Sequence, residues 1–230
     1  MGISLPFLWE NERTVKMNSI HLDNTLPNVF LQRTDLQSDI WRQHVTLEKG
    51  KSYLVEASSG TGKSSLCSFI IGYRKDFDGK ILFDGKDSLG FKTSDWTKLR
   101  QSHISMLFQE LRLFPELTAM ENVEIKNSLT HFKQKKEIEG WFEALGIAEK
   151  MQSPVRLMSF GQQQRVAMIR ALVQPFDFLL ADEPISHLDE TNSRMMADIM
   201  MEEARRQGAG IVITSIGKHM ELAYDKTLCL

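Results

Sequence analysis

The run Ala57-Ser58-Ser59-Gly60-Thr61-Gly62-Lys63-Ser64-Ser65 concentrates small residues, one cation and several hydroxyls in a single loop. A triphosphate needs many donors in a small space. Small residues let backbone N–H groups face the phosphates, and the helix that follows adds its N-terminal dipole. Lys63 would reach the β- and γ-phosphates, and the Ser64 hydroxyl would ligate Mg²⁺. The strict motif opens with glycine, and here that position is Ala57. A second stretch, Phe178-Leu179-Leu180-Ala181-Asp182-Glu183, is an apolar run ending in two acids. A buried strand of this kind presents a carboxylate to a metal. Asp182 would hold Mg²⁺ directly or through water, and Glu183 would accept a proton from, or orient, the attacking water. Strand neighbours point opposite ways, which suits two roles. The other reading of the pair is an exposed turn before Pro184.

These residues need elements to position them. Lys51–Glu56 reads as a strand and Ser64–Gly72 as a helix, so the small-residue loop lies between strand and helix. Asp78-Gly79 and Asp84-Gly85 bracket Lys80–Phe83 as a hairpin strand. His103–Phe108, Phe176–Ala181 and Ile211–Thr214 read as further strands, the last two buried. Phe132–Leu145 has helical spacing and stops at Gly146, and Asn192–Gln207 stops at Gly208. Strands alternating with helices predict an α/β domain with a largely parallel sheet. Residues 111–172 interrupt that alternation and read as an inserted helical lobe.

Composition narrows the classes. The chain has 230 residues, 42% hydrophobic and 25% charged, with a formal net charge of −2, which argues against a nucleic-acid binder acting through bulk charge. Cys67 and Cys229 form no CxxC pair, so neither a disulfide framework nor a zinc motif is expected, and a reducing cytosolic setting is the default. No apolar run approaches the roughly 20 residues of a membrane helix, so no direct membrane insertion is expected. Ile3–Trp9 is short, interrupted by Pro6, and lacks a basic flank, so a signal peptide is not expected. Met1-Gly2 suggests myristoylation, but Pro6 stands where Ser or Thr is needed. Residues 1–16 read as an extension and 17–230 as one domain.

Between the two chemical stretches lies Met158-Ser159-Phe160-Gly161-Gln162-Gln163-Gln164-Arg165-Val166-Ala167, which resembles the LSGGQ signature of ABC (ATP-binding cassette) ATPases and the helix after it. Other pieces fall in the family's order. Gln109 matches the Q-loop glutamine that contacts Mg²⁺, Ser186-His187-Leu188-Asp189 matches the D-loop, and Phe30 stands where an aromatic stacks on adenine. Phe108–Pro115, Leu117–Val123 and Leu180–Pro184 are similar to the group of lipoprotein-release, macrolide-export and cell-division cassettes. The resemblance implies a P-loop NTPase fold: a RecA-like core with a largely parallel sheet, an antiparallel β part and the helical lobe. It implies a homodimer that sandwiches two Mg-ATP, with Ser159, Gly161, Gln162 and Asp189 of one subunit completing the site of the other. Ser159 would bond the γ-phosphate, while the Gly161 N–H and the Gln162–Val173 helix offer a second anion-binding N-terminus. It implies an integral membrane permease as partner, with the cassette cytoplasmic and peripheral on the inner membrane face.

The sequence departs from the family in places. The family's histidine after the last core strand is Ser215 here, and loss of one charge-stabilising donor costs about 3 kcal/mol. Lys218 or His219 would stand in for it, or both are a solvated helix start. Phe160 replaces the first signature glycine and would cost about 1–2 kcal/mol if φ is positive there. His187 would reach the γ-phosphate across the dimer, or is a polar surface residue. Phe30 is an adenine platform or a core aromatic on the first strand. Leu111, Leu113 and Phe114 form a groove for a permease helix, or ordinary lobe core. Three functions compete: a transporter motor, a degenerate cassette serving as regulator, and a non-transport cassette on DNA or ribosomes. The stretch between Lys63 and Asp182 is too short for the coiled coils or zinc insertions of DNA-repair types, and ribosomal types carry two cassettes per chain.

Overall fold

The computed structural model describes residues 16–58, 60–186, 188–217 and 219–230. Expectations placed on residues 1–15, Ser59, His187 and Lys218 lie outside the described residues. Two sheets form. Strands β1 (Ser19–Pro27), β2 (His44–Glu48), β4 (Phe77–Phe83) and β5 (Lys86–Asp87) make an antiparallel sheet in the order β2-β1-β4-β5. Strands β3 (Ser52–Glu56), β6 (Ile104–Leu107), β7 (Phe178–Asp182), β8 (Gly210–Ser215) and β9 (Lys226–Cys229) make a parallel sheet in the order β6-β7-β8-β3-β9. The helices are α1 (Lys63–Ile70), α2 (Thr93–Ser102), α3 (Ala119–Asn127), α4 (Lys135–Ala144), α5 (Phe160–Leu172) and α6 (Glu190–Gln207). None among the described residues is long and apolar enough to cross a membrane.

The parallel strands are apolar on both faces because both faces are covered. Phe178, Leu180, Tyr53, Val55 and Val212 face one core with α1, α2 and the antiparallel sheet. Leu179, Ala181, Leu54, Ile211 and Ile213 face the other, with α5 and α6. This second core continues without a break into the lobe through Val166, Val123, Ile138 and Phe142. Residues 111–172 hold α3 to α5, whose core is continuous with that of the sheet. Phe142 is fully buried there. Phe142→Ala is expected to lower the unfolding free energy by about 3–5 kcal/mol, read as an earlier denaturant midpoint.

Helix limits follow from local chemistry. Thr118 and Glu121 cap α3 reciprocally, Asp189 caps α6, and Gly208 (φ +63°) ends it. Three expectations are corrected. Asp78-Gly79 is not a turn: Gly79 (φ +85°) sits within β4 opposite the register shift of β1, and a Cβ there would lie 2.3 Å from the Asn24 carbonyl oxygen. Only Asp84-Gly85 makes a hairpin turn, with both residues at positive φ. The signature helix begins at Phe160, two residues earlier than the Gln162 expected from sequence, because Ser159 caps it. His219 stands in irregular chain rather than at a helix start, with Nδ1 3.6 Å from Glu56 Oε1.

The N-terminal edge of the parallel sheet is pinned by one buried carboxylate. Asp177 accepts from Met17 N at 2.8 Å, from His103 Nδ1 at 2.7 Å and from Lys49 Nζ. The opposite edge is left to loops, where open parallel sheets bind ligands.

Candidate nucleotide site

Residues 57–62 connect β3 to α1 at that carboxyl edge. Gly62 caps α1 with φ +102°, and a Cβ on it would lie 3.1 Å from the Trp41 ring and 3.2 Å from Phe30. Glycine is required there on two counts, conformation and space. Trp41 is buried, and its indole Nε1 donates to the Thr61 carbonyl at 2.9 Å. Thr61 Oγ1 and Lys63 Nζ donate to the Ser58 carbonyl at 2.9 and 3.1 Å. The loop is held from beneath by an aromatic and from within by two donors. Trp41 was missed by sequence reasoning, since an isolated Trp has no local signal. Ala57 is not at positive φ; its N–H donates to the Ser215 carbonyl at 3.1 Å, and its methyl packs on the core. Alanine therefore opens this loop without strain.

The acidic pair diverges at the end of β7. Asp182 is buried and accepts from Thr214 Oγ1 at 2.5 Å. Burial, with the Asp182 charge behind it, pushes the Cys67 thiol well up, so this cysteine is an inert core residue. At Glu183 the backbone turns left-handed, φ +50°, a conformation that costs about 1–2 kcal/mol for a residue with a side chain. Its N–H donates to the carbonyl and to Oγ1 of Thr214, each at 3.2 Å, and buried Gln164 of α5 donates to the Pro184 carbonyl at 2.5 Å. The divergence comes from this turn, rather than from strand pleating alone. It aims the Glu183 carboxylate at Lys63 Nζ (3.7 Å) and at the amide of Gln109 (3.4 Å). Thr214, opposite Asp182 in the β7–β8 register, was a further miss.

Phe30, Gly60, Gly62, Lys63, Ser64, Ser65, Gln109 and Glu183, all expected from sequence, line one cleft of about 370 Å³. Val29 and Ile216 complete it. Three larger hollows contain none of these residues: two, of about 760 and 480 Å³, border His103 at the opposite edge of the sheet, and one of about 470 Å³ lies between α6 and Glu221. Phe30 lies in a 3-10 turn, Asn28–Phe30, not on a strand, with the Arg33 guanidinium 5.6 Å from its ring centre. Ser215 is the last residue of β8 and is buried, while Ile216 is its neighbour in the lining.

Ser159, Gly161, Gln162 and Asp189 do not line the cleft of their own chain. Ser159 Oγ accepts from Gln162 N at 3.3 Å, and Gln162 Oε1 accepts from Ser159 N at 2.9 Å. Phe160 is the first helical residue, has no positive φ, and is 45% exposed. The departure at Phe160 therefore carries no backbone strain. Asp189 accepts from Asn192 N and Nδ2 at 2.8 and 2.6 Å, bonds that hold its carboxyl below the usual range. Arg165 of α5 also donates to Asn192, joining signature helix and D-loop. Of the groove expected from Leu111, Leu113 and Phe114, Leu111 is buried and Leu113 packs on the core, leaving Phe114 exposed.

The family described as ABC transporter matches residues 42–186, well over half of the chain. The chain belongs to the ABC transporter family. As a cassette of that family it binds and hydrolyses ATP. It is 32% identical to the ABC transporter ATP-binding protein YtrE of Bacillus subtilis (strain 168) over 172 residues, 74% of each chain. It is 29% identical to the macrolide export ATP-binding/permease protein MacB of Shewanella sp. (strain ANA-3), covering 80% of this chain but only 28% of that one. The fold superposes, at a TM-score of 0.69 and 25% identity, on a dimeric post-hydrolysis state of the ATP-binding cassette MJ0796 bound to ADP and Pi, covering 85% of this chain and 87% of the other.

Proposed function

We propose that the chain is the motor subunit of a membrane transporter, closing as a homodimer around two Mg-ATP and working on a permease of the export or lipoprotein-release kind. The observation that carries this reading is the convergence of Lys63, Gln109 and Glu183 at one cleft, 3.7 and 3.4 Å apart through the Glu183 carboxylate. Lys63 exchanges its bond with Ser58 for the β- and γ-phosphates, aided by the N–H groups of residues 58–65 and the start of α1. Glu183 takes the proton of the attacking water. Phe30 offers its face to adenine. Ser64, Gln109 and Asp182 supply only oxygen ligands, the donor set that suits Mg²⁺, which also takes phosphate oxygens in such sites. The ion would neutralise charge on the phosphates. Ser215, buried at the end of β8 beside the cleft-lining Ile216, takes the place of the family's histidine towards the γ-phosphate.

The signature residues Ser159, Gly161 and Gln162, with Asp189, serve the site of a second copy. Their absence from the cleft of their own chain supports this. Exposed Phe114 and the residues around it face a cytoplasmic segment of the permease, which keeps the cassette on the inner membrane face.

The test is phosphate release against protein concentration. A shared site predicts a specific rate that rises with concentration and then saturates, and loss of turnover on chelating divalent cations. A specific rate independent of concentration down to the nanomolar range refutes the shared site.

A further inference from the structure

Arg170 lies near the C-terminal end of α5, the helix whose first turn is the signature. Its guanidinium donates to two successive carbonyls, Leu111 at 2.5 Å and Arg112 at 2.7 Å. Those residues belong to the loop that follows Gln109, and both are left-handed, φ +59° and +50°. Two adjacent side-chain-bearing residues in that region cost about 1–2 kcal/mol each. Such strain persists only where surroundings over-determine it, and it gathers at functional sites.

The hold on this loop comes from two sides. From α5 comes the Arg170 fork, a planar donor pair whose geometry a lysine cannot copy. From the loop itself, the Arg112 guanidinium lies 4.0 Å from the ring centre of Phe108, the residue before Gln109. Phe108 in turn stacks on Tyr73 at 5.8 Å. Among the described residues no carboxylate lies within ion-pair distance of Arg170. Lys126 of α3 is its neighbour, and burial together with the Arg170 charge pushes that ammonium down to about 8. A cation placed beside another cation, with only carbonyls to bond, is an unfavourable choice for packing alone.

We propose that Arg170 is a positioning residue for hydrolysis: from the signature helix it latches the left-handed Leu111–Arg112 pair and so sets the Gln109 amide against Glu183. The inference rests on the hydrolytic reading above and adds a link within one chain. Eleven residues of α5, roughly 16 Å of rigid helix, join Ser159 to the latch. Whatever displaces the signature displaces the Gln109 loop with it.

The experiment uses the full chain with Arg170→Lys and Arg170→Ala, read in two ways. Without nucleotide, amide exchange over residues 109–114 should quicken at least tenfold in both variants, while α1 and β7 keep wild-type protection. With Mg-ATP, kcat should fall about tenfold while KM stays within twofold. If Arg170→Ala does not fold, Arg170→Lys keeps the charge and decides alone. The proposal is overturned by unchanged exchange at 109–114, by faster exchange spread evenly along α5, or by loop exchange that rises with kcat unchanged. A wild-type chain without turnover refutes the hydrolytic reading, and the exchange data then judge the latch by themselves.

Discussion

Glu183→Gln is expected to cut phosphate release by roughly 10²–10³-fold and to leave a dimer that persists with Mg-ATP. The substitution is nearly isosteric, and the left-handed backbone at φ +50° is no worse for Gln than for Glu. What changes is the proton acceptor and the ion pair with Lys63, whose side chain is 5% exposed and that of Glu183 10%. Lys63 then loses a competitor for its charge, so ATP affinity should hold or improve while turnover stops. Solution mass by light scattering, with and without Mg-ATP, reads both effects. A monomer that becomes a dimer only with nucleotide supports the shared site and the altered signature. ATP binding without a dimer at high concentration would locate the defect at Phe160. Turnover near wild type would remove Glu183 from the base role.

The second large effect is expected from Gly62→Ala. At φ +102° an alanine is strained by about 1–2 kcal/mol, and its Cβ would lie 3.1 Å from the Trp41 ring and 3.2 Å from Phe30. Trp41 has little room to retreat, since it is buried and already bonded to Thr61. The start of α1 must therefore shift, and with it the N–H groups proposed to bind phosphate. ATP affinity should fall about 10–100-fold, and unfolding free energy by about 2–4 kcal/mol. Gly60→Ala is the internal comparison: φ is +81°, but nothing lies within 4 Å of the added Cβ, so strain acts alone and the effect should be smaller. Titration calorimetry and denaturant unfolding of the two variants measure the order. Equal effects would show that the ring contacts are unimportant.

These cases mark where local sequence stops being informative. The loop before α1 was legible because the proposed phosphate binding needs contiguous residues: a run of small side chains, then Lys63 and Ser64 at the start of a helix. The apolar run into Asp182 and Glu183 was legible because a doubly covered strand has little choice of composition. Ser159 was placed by resemblance, and its reciprocal bonds with Gln162 are themselves local. Thr214, Trp41 and Arg170 gave no comparable signal. Each acts through a partner far along the chain, respectively Asp182, Thr61 and Leu111.

Sequence by itself determined β3, β6, β7 and β8, the later part of β4, and the helices α1, α4 and α6, because each depends on neighbours a few residues away; it did not mark β1, β2, β5, β9, α2 or α3, nor the Ser159 cap that starts α5. Tertiary structure decided the rest. It showed that Ala57 and Phe160 sit at ordinary φ, so neither departure is strained. It put Phe30 at the cleft, sent Leu111 into the core, and turned Glu183 away from Asp182 toward Lys63. Backbone dihedrals and long-range contacts are set by what packs on a residue, and sequence neighbours do not carry that information.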